Sequence, residues 1–133
     1  MSCKSALYAA MQTPTAVAVD GVIPLGSLIR RYGCNVALNG NAVNITGAGY
    51  YDVDASVTVT PAAAGTVTIT LYKDGVAVPG ATASETAAAN GTVNLSIPPL
   101  VRQVCWAAGS ALTLVLTGVA ATVNNVALRV QRI

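Results

Sequence analysis

From Tyr51 to Thr60 the chain alternates residue by residue. Tyr51, Val53, Ala55, Val57 and Val59 are apolar or aromatic, and Asp52, Asp54, Ser56, Thr58 and Thr60 between them are polar. Successive side chains of a strand point to opposite faces, so this pattern predicts a strand with one face buried and one face wet. After the loop Pro61-Ala62-Ala63-Ala64-Gly65 the alternation resumes, with Val67, Ile69 and Leu71 inward and Thr66, Thr68 and Thr70 outward. Asp74-Gly75 then signals a tight hairpin leading into Val76-Ala77-Val78, and Pro79-Gly80 signals a further turn. Asn90-Gly91 opens a strand with Val93, Leu95 and Ile97 on one side, and Pro98-Pro99 ends it because proline donates no ladder hydrogen bond.

Val101 and Val104 lead toward Trp106. Leu112, Leu114 and Leu116 alternate with Thr113 and Thr117 until Thr117-Gly118 closes the strand, and a last strand runs from about Val123 to Ile133 with Val126, Leu128 and Val130 on one face. Nearer the start, Asp20-Gly21 predicts a hairpin between Ala16–Val19 and Val22-Ile23. Asn39-Gly40-Asn41 predicts another, between Val36–Leu38 and Val43–Ile45. The alanines of 81–89 allow a helical turn, but Thr82, Ser84 and Thr86 alternate with them, which favours a strand or a long loop. Eight to ten short antiparallel strands separated by turn signals predict an all-β sandwich or jelly roll with no helix longer than two turns. No repeat, linker or break in composition divides residues 1–133, which reads as one domain.

Composition sharpens this picture. Val, Thr and Ile account for 39 of the 133 residues, and branching at Cβ suits a pleated surface. Hydrophobic residues make up 53% and charged residues only 9%. Such a chain is not disordered, and its surface must be finished with Thr, Ser, Asn, Ala and Gly, by contact with other subunits, or by both. The net charge of +2 is scattered, which gives no stripe for nucleic acid. No charge occurs between Arg102 and Arg129, yet Gly109-Ser110, Thr117-Gly118 and Asn124-Asn125 break that stretch at turn spacing, against a membrane helix. Lys4 is followed by an apolar run too short for a signal peptide.

Candidate chemistry is sparse. With no histidine there is no Ser-His-Asp or Cys-His arrangement, and no enzyme, metal site or cofactor is expected. Asp20 and Asp74 belong to turns. Asp52 and Asp54 share a strand face about 7 Å apart, a separation that suits a carboxylate pair or a calcium site but here reads as a solvated face, with no further acid nearby in sequence. Cys3, Cys34 and Cys105 lack zinc spacing and read as free, mostly buried thiols; a Cys34–Cys105 bridge is open, because sequence spacing does not decide it. Arg30-Arg31 is a lone dibasic pair suited to a loop or a subunit contact. Trp106 and Tyr50 suit either a sugar-stacking platform or a core or interface anchor.

Gly49-Tyr50-Tyr51-Asp52-Val53, the Pro-Ala-Ala-Ala-Gly loop, Leu71-Tyr72-Lys73-Asp74-Gly75-Val76 and Pro79-Gly80-Ala81 together resemble the middle of a jelly-roll domain. The type is that of the tumour necrosis factor and complement globular-head superfamily. Leu112–Leu116 and Val123–Val130 resemble its last two strands, and the Ala- and Thr-rich composition is similar to bacterial and phage members. The resemblance implies a homotrimer used as a surface knob: a virion decoration or head fibre, made in the host cytoplasm and displayed on the virion. The alternative it implies is a receptor- or glycan-binding tip of a phage fibre or bacterial spore-surface protein, with a host-surface glycan as partner. It also implies an inner sheet facing the threefold axis, with Tyr50, Asp52, Asp54, Leu128, Val130, Arg132 and Ile133 at the interface. Arg129 and Arg132 would there meet Asp52 or Asp54 of a neighbour. Met1, Ser2, Cys3 and Lys4, in a segment reaching Leu7, would tether the knob to capsid or fibre proteins.

Overall fold

A computed structural model describes residues 5–103 and 109–133. Met1 to Lys4, and Val104, Cys105, Trp106 and their two following alanines, lie outside the described residues, and with them the tether, Cys3, Cys105 and the Trp106 platform. The described residues form twelve strands and no helix. They are β1 (Ala6–Met11), β2 (Thr15–Val17), β3 (Ser27–Tyr32), β4 (Val36–Asn39), β5 (Ala42–Ile45) and β6 (Gly49–Pro61), then β7 (Gly65–Lys73), β8 (Val76–Ala87), β9 (Val93–Ile97), β10 (Leu100–Gln103), β11 (Ser110–Gly118) and β12 (Ala121–Arg132).

All pairings are antiparallel and build two sheets. The seven-stranded sheet runs β10-β6-β12-β1-β3, with β2 also on β12 and β9 also on β6; the five-stranded sheet runs β4-β5-β11-β7-β8. The inner faces meet in a core whose members are those the alternation selects. Tyr51, Val53, Ala55, Val57 and Val59 of β6 are fully buried, as are Val67, Ile69 and Leu71 of β7 and Leu114 and Leu116 of β11. Burying each large aliphatic side chain contributes about 1.5–3 kcal/mol, which makes this facing set the main stabilising element.

The turns follow backbone chemistry. Asp74 and Gly75 both take positive φ, 54° and 82°, and close the β7–β8 hairpin with Lys73 opposite Val76. Gly118 at φ 93° ends β11 where a Cβ would stand 2.0 Å from the Thr66 carbonyl oxygen, so no side chain fits there.

Two turn readings need correction. Pro79-Gly80 is not a turn between strands: β8 continues through it with a register shift opposite Thr70 to Tyr72, and Gly80 takes φ 78°. The edge position tolerates the proline, and the 81–89 stretch is strand as far as Ala87. Asp20-Gly21 does turn, with the Gly21 N–H donating to the Ala18 carbonyl, but its arms do not pair. β2 joins β12 in the seven-stranded sheet, whereas Val22 bridges Val115 in the five-stranded one, so the chain changes sheet there. The uncharged stretch from Arg102 to Arg129 supplies β11 and most of β12, and no described helix is long and apolar enough to cross a membrane.

Candidate functional site

Among the described residues, nothing covers the outer face of the seven-stranded sheet at Tyr8, Asp54 and Arg129, which are exposed. Strand register sets rows of side chains across it. Asp54 lies opposite Arg129, Arg129 opposite Tyr8, and Tyr8 opposite Arg30. The next row toward the chain termini runs Leu100, Asp52, Gln131, Ala6, Tyr32. The Arg129 guanidinium donates to the Asp54 carboxylate at 3.1 Å. Both side chains are about half exposed, so water screens the pair and it contributes little to folding by itself. Tyr8, Asp54, Ser56, Ala127 and Arg129 line a shallow groove of about 220 Å³ at the middle of this face. Short side chains are the reason for the depression: Ala127 and its register partners Ser56 and Ala10 stand beside the longer Tyr8 and Arg129.

The residues expected at a subunit interface divide here. Tyr50, Asp54 and Ile133 are exposed, and Asp52 and Arg132 are half-buried. Leu128 and Val130 must be corrected: they point into the sandwich and are 2% and 0% exposed, so they offer no surface to a neighbour. β12 turns Ala127, Arg129 and Gln131 outward instead, one residue out of step with them, as the period of two requires. Arg129 pairs with Asp54 of its own chain, where a neighbour's carboxylate was expected. Arg132 donates to the Ala48 carbonyl and lies over Gly49, where a Cβ would meet its Nε at 3.0 Å.

Tyr8 and Arg30 were missed as site residues because β1 and β3 were not read as strands. In β1 the signal exists: Leu7, Ala9 and Met11 are buried and alternate with Tyr8 and Ala10. In β3 there is none to find. All six residues of Ser27–Tyr32 are exposed, so no alternation separates a wet face from a dry one. Arg30-Arg31 therefore sits on an edge strand, with the Arg31 Nε donating to the Val36 carbonyl.

Away from this face, several polar groups are satisfied within the chain. The Tyr51 hydroxyl reaches the carbonyls of Thr46 and Gly47 at 2.6 and 3.0 Å, and burial pushes its phenol up against the opposing pull of Arg132. The Ala111 N–H donates to the Asp74 carboxylate at 2.9 Å and, with Ser110, holds it below its ordinary range. Among the described residues no group of three or more His, Cys, Asp or Glu could hold a metal ion. Against the expectation of burial, Cys34 is exposed, with its Sγ 3.7 Å from the Asn35 Oδ1.

Two facing antiparallel sheets, with the first and last long strands side by side at the centre of one, define a jelly roll of the tumour necrosis factor and complement-head type. Comparison with solved structures gives the same fold over nearly the whole chain. Murine APRIL matches with a TM-score of 0.75 at 12% identity, covering 98% of this chain and 99% of that one. The globular domain of zebrafish complement 1qA protein matches at 0.70 and 6% identity, over 93% and 94% of the two chains. The PRD1 vertex protein P5 matches at 0.66 and 10% identity, over 100% and 99%. No protein-family model and no curated protein matches the sequence.

Proposed function

We propose that this chain is a non-enzymatic head domain that assembles as a homotrimer and studs the surface of a phage particle as a decoration or head-fibre knob. The observation that carries the reading is the end-to-end likeness to a virion vertex protein, P5 of PRD1, in a chain with an Ala- and Thr-rich, weakly charged surface. The subunit contact is placed on the outer face of the seven-stranded sheet. That face combines the groove at Ala127, the exposed ring of Tyr8 and the Arg129–Asp54 pair, an aromatic-and-arginine mixture typical of contact surfaces. Covering the pair would remove it from water and make its geometry decisive for which neighbours fit. Of the earlier interface set, Tyr50, Asp52, Asp54 and Ile133 stay with this placement, Arg132 leaves it because its register partner is the inward Tyr51, and Tyr8, Ala127 and Arg129 join it.

Light scattering on the purified 13.3 kDa chain tests the assembly. A particle of roughly 40 kDa is expected for cyclic closure at three, and a mass near that of one chain overturns it. Immunogold labelling of purified virions tests the location: label over the capsid or its fibres supports the reading, and unlabelled virions from an infection that makes the chain remove it.

A further inference from the structure

The charges of this molecule are gathered at one end. Six of its seven Lys and Arg residues lie among the described residues, and all six fall in the same half of the sandwich. The registers show it. Arg30 and Arg129 flank Tyr8, Arg102 stands opposite Tyr50, Arg132 opposite Tyr51, and Arg31 opposite Leu7. Lys73 ends β7 on the same side, where its Nζ donates to the Arg102 carbonyl at 2.9 Å. This is the end where the Arg132 N–H meets the Ser5 carbonyl. Among the described charged residues, the opposite half holds only Asp20, beside Leu116, and Glu85, opposite Val67.

Three carboxylates, Asp52, Asp54 and Asp74, share the basic half, which leaves an excess of three positive side chains there. Arg31 and Lys73 donate to the carbonyls of Val36 and Arg102, and Lys73 also helps to hold the Asp74 carboxyl down. A carbonyl oxygen orients a cationic head group without cancelling its charge.

Apolar surface accompanies the cations. Val76 is 69% and Leu100 55% exposed, and between the β7–β8 hairpin and β10 lies a groove of about 490 Å³. Val76, Val78, Pro79 and Leu100 line it together with Lys73, Asp74 and Arg102, so one carboxylate stands beside its two cations. A phosphate backbone would meet cations spaced by greasy surface it does not use, whereas a protein surface uses both.

We infer that this end, centred on the Lys73–Leu100–Arg102 groove, docks an acidic protein surface that presents apolar or aromatic side chains between its carboxylates. The inference deepens the virion reading by stating the chemistry of the body on which the head stands.

The test uses the intact chain and, as probe, a random copolymer of glutamate and tyrosine. Poly-L-glutamate and duplex DNA serve as comparisons, with backbone amide shifts mapping the contact. The copolymer is expected to bind tightest and to shift Lys73, Val76, Leu100 and Arg102. Binding should weaken about tenfold when salt rises from about 0.05 to 0.5 M. Arg102→Glu should weaken it about tenfold and Leu100→Ser about threefold, while Glu85→Lys leaves it unchanged. Tighter binding of DNA, shifts at the Asp20 and Glu85 end, or indifference to both groove substitutions overturns the inference. Rebinding to virions stripped of the chain separates it from the reading beneath it. A head that takes the copolymer at this end but no particle keeps the acidic partner and removes the virion role. A head that binds particles equally well with R102E and L100S keeps the virion role and removes the acidic partner.

Discussion

The two outer faces of the sandwich are finished in different ways. On the five-stranded sheet, hydroxyls of β7 meet hydroxyls of β8 across the strands: Thr66 with Thr86 at 3.1 Å, Thr68 with Ser84 at 2.8 Å, Thr70 with Thr82 at 3.2 Å. This face needs no charge, because the hydroxyl ladder both satisfies itself and wets the surface. The seven-stranded sheet has such a network toward β9, where the Asn94 amide donates to Ser56 and Thr58 and the Thr60 and Thr92 hydroxyls meet, and at the start of β12, where the Asn124 amide donates to Thr60. From β12 to β3 the same face changes to Tyr8, Arg129, Arg30 and Tyr32 around a groove. A charge content of 9% is therefore no sign of an unfinished surface in itself. What distinguishes one face from the other is where hydroxyls give way to aromatic rings and guanidinium groups.

The sharpest way to break this comparison is to put a charge on the wrong side of β12. Val130→Asp buries a carboxylate in a fully buried position and should cost more than about 4 kcal/mol, leaving no cooperative thermal transition by circular dichroism. If Val130→Asp folds and only dissociates, the inward placement of this side chain is wrong.

Next in size is the contrast between the faces themselves. Tyr8→Glu should keep the fold but raise the concentration needed for assembly at least about tenfold in light scattering. Thr68→Glu, the same change on the hydroxyl face, should leave the mass unaltered. Equal dissociation by both substitutions would put the contact elsewhere.

Tyr51→Phe comes third. It removes the hydroxyl shared by the Thr46 and Gly47 carbonyls and should cost about 1 kcal/mol in denaturant unfolding, with assembly untouched.

The smallest effect is expected at Asp74. Its carboxyl is held below its ordinary value of 3.8 chiefly by the Ala111 N–H. A depressed folded value adds stability that is present above 3.8 and lost as pH falls through the lower folded value. Asp74→Asn should accordingly narrow the gap between melting temperatures at pH 7 and in the acid range below 3.8, by no more than a few degrees for so exposed a group. An unchanged gap would show that this carboxylate does not couple to folding.

Fold class and core were legible because burial on one face only imposes a period of two. β6, β7, β11 and β12 each carry that pattern, and the inward residues of β6, β7 and β11 form the core as read. The site was legible in part. Asp54 and Arg129 stood out as charges on alternating strands, but that they meet in one chain depends on the β6–β12 register, which no local pattern encodes. Leu128 and Val130 were misplaced for the opposite reason: apolar residues in a final strand suit a core and an interface equally well, and only the second sheet decides between them.

By itself the sequence determined most of the turns, which residues alternate, and which face of β6, β7 and β11 is dry. These are short-range matters, set by φ preferences and by the pleat. The tertiary structure alone decided that Asp20-Gly21 passes the chain between sheets, that Pro79-Gly80 is a bulge in an edge strand, and that β3 is a strand at all. An edge strand exposed on both faces is held by the backbone ladder to β1, and backbone hydrogen bonds leave no mark in the order of side chains.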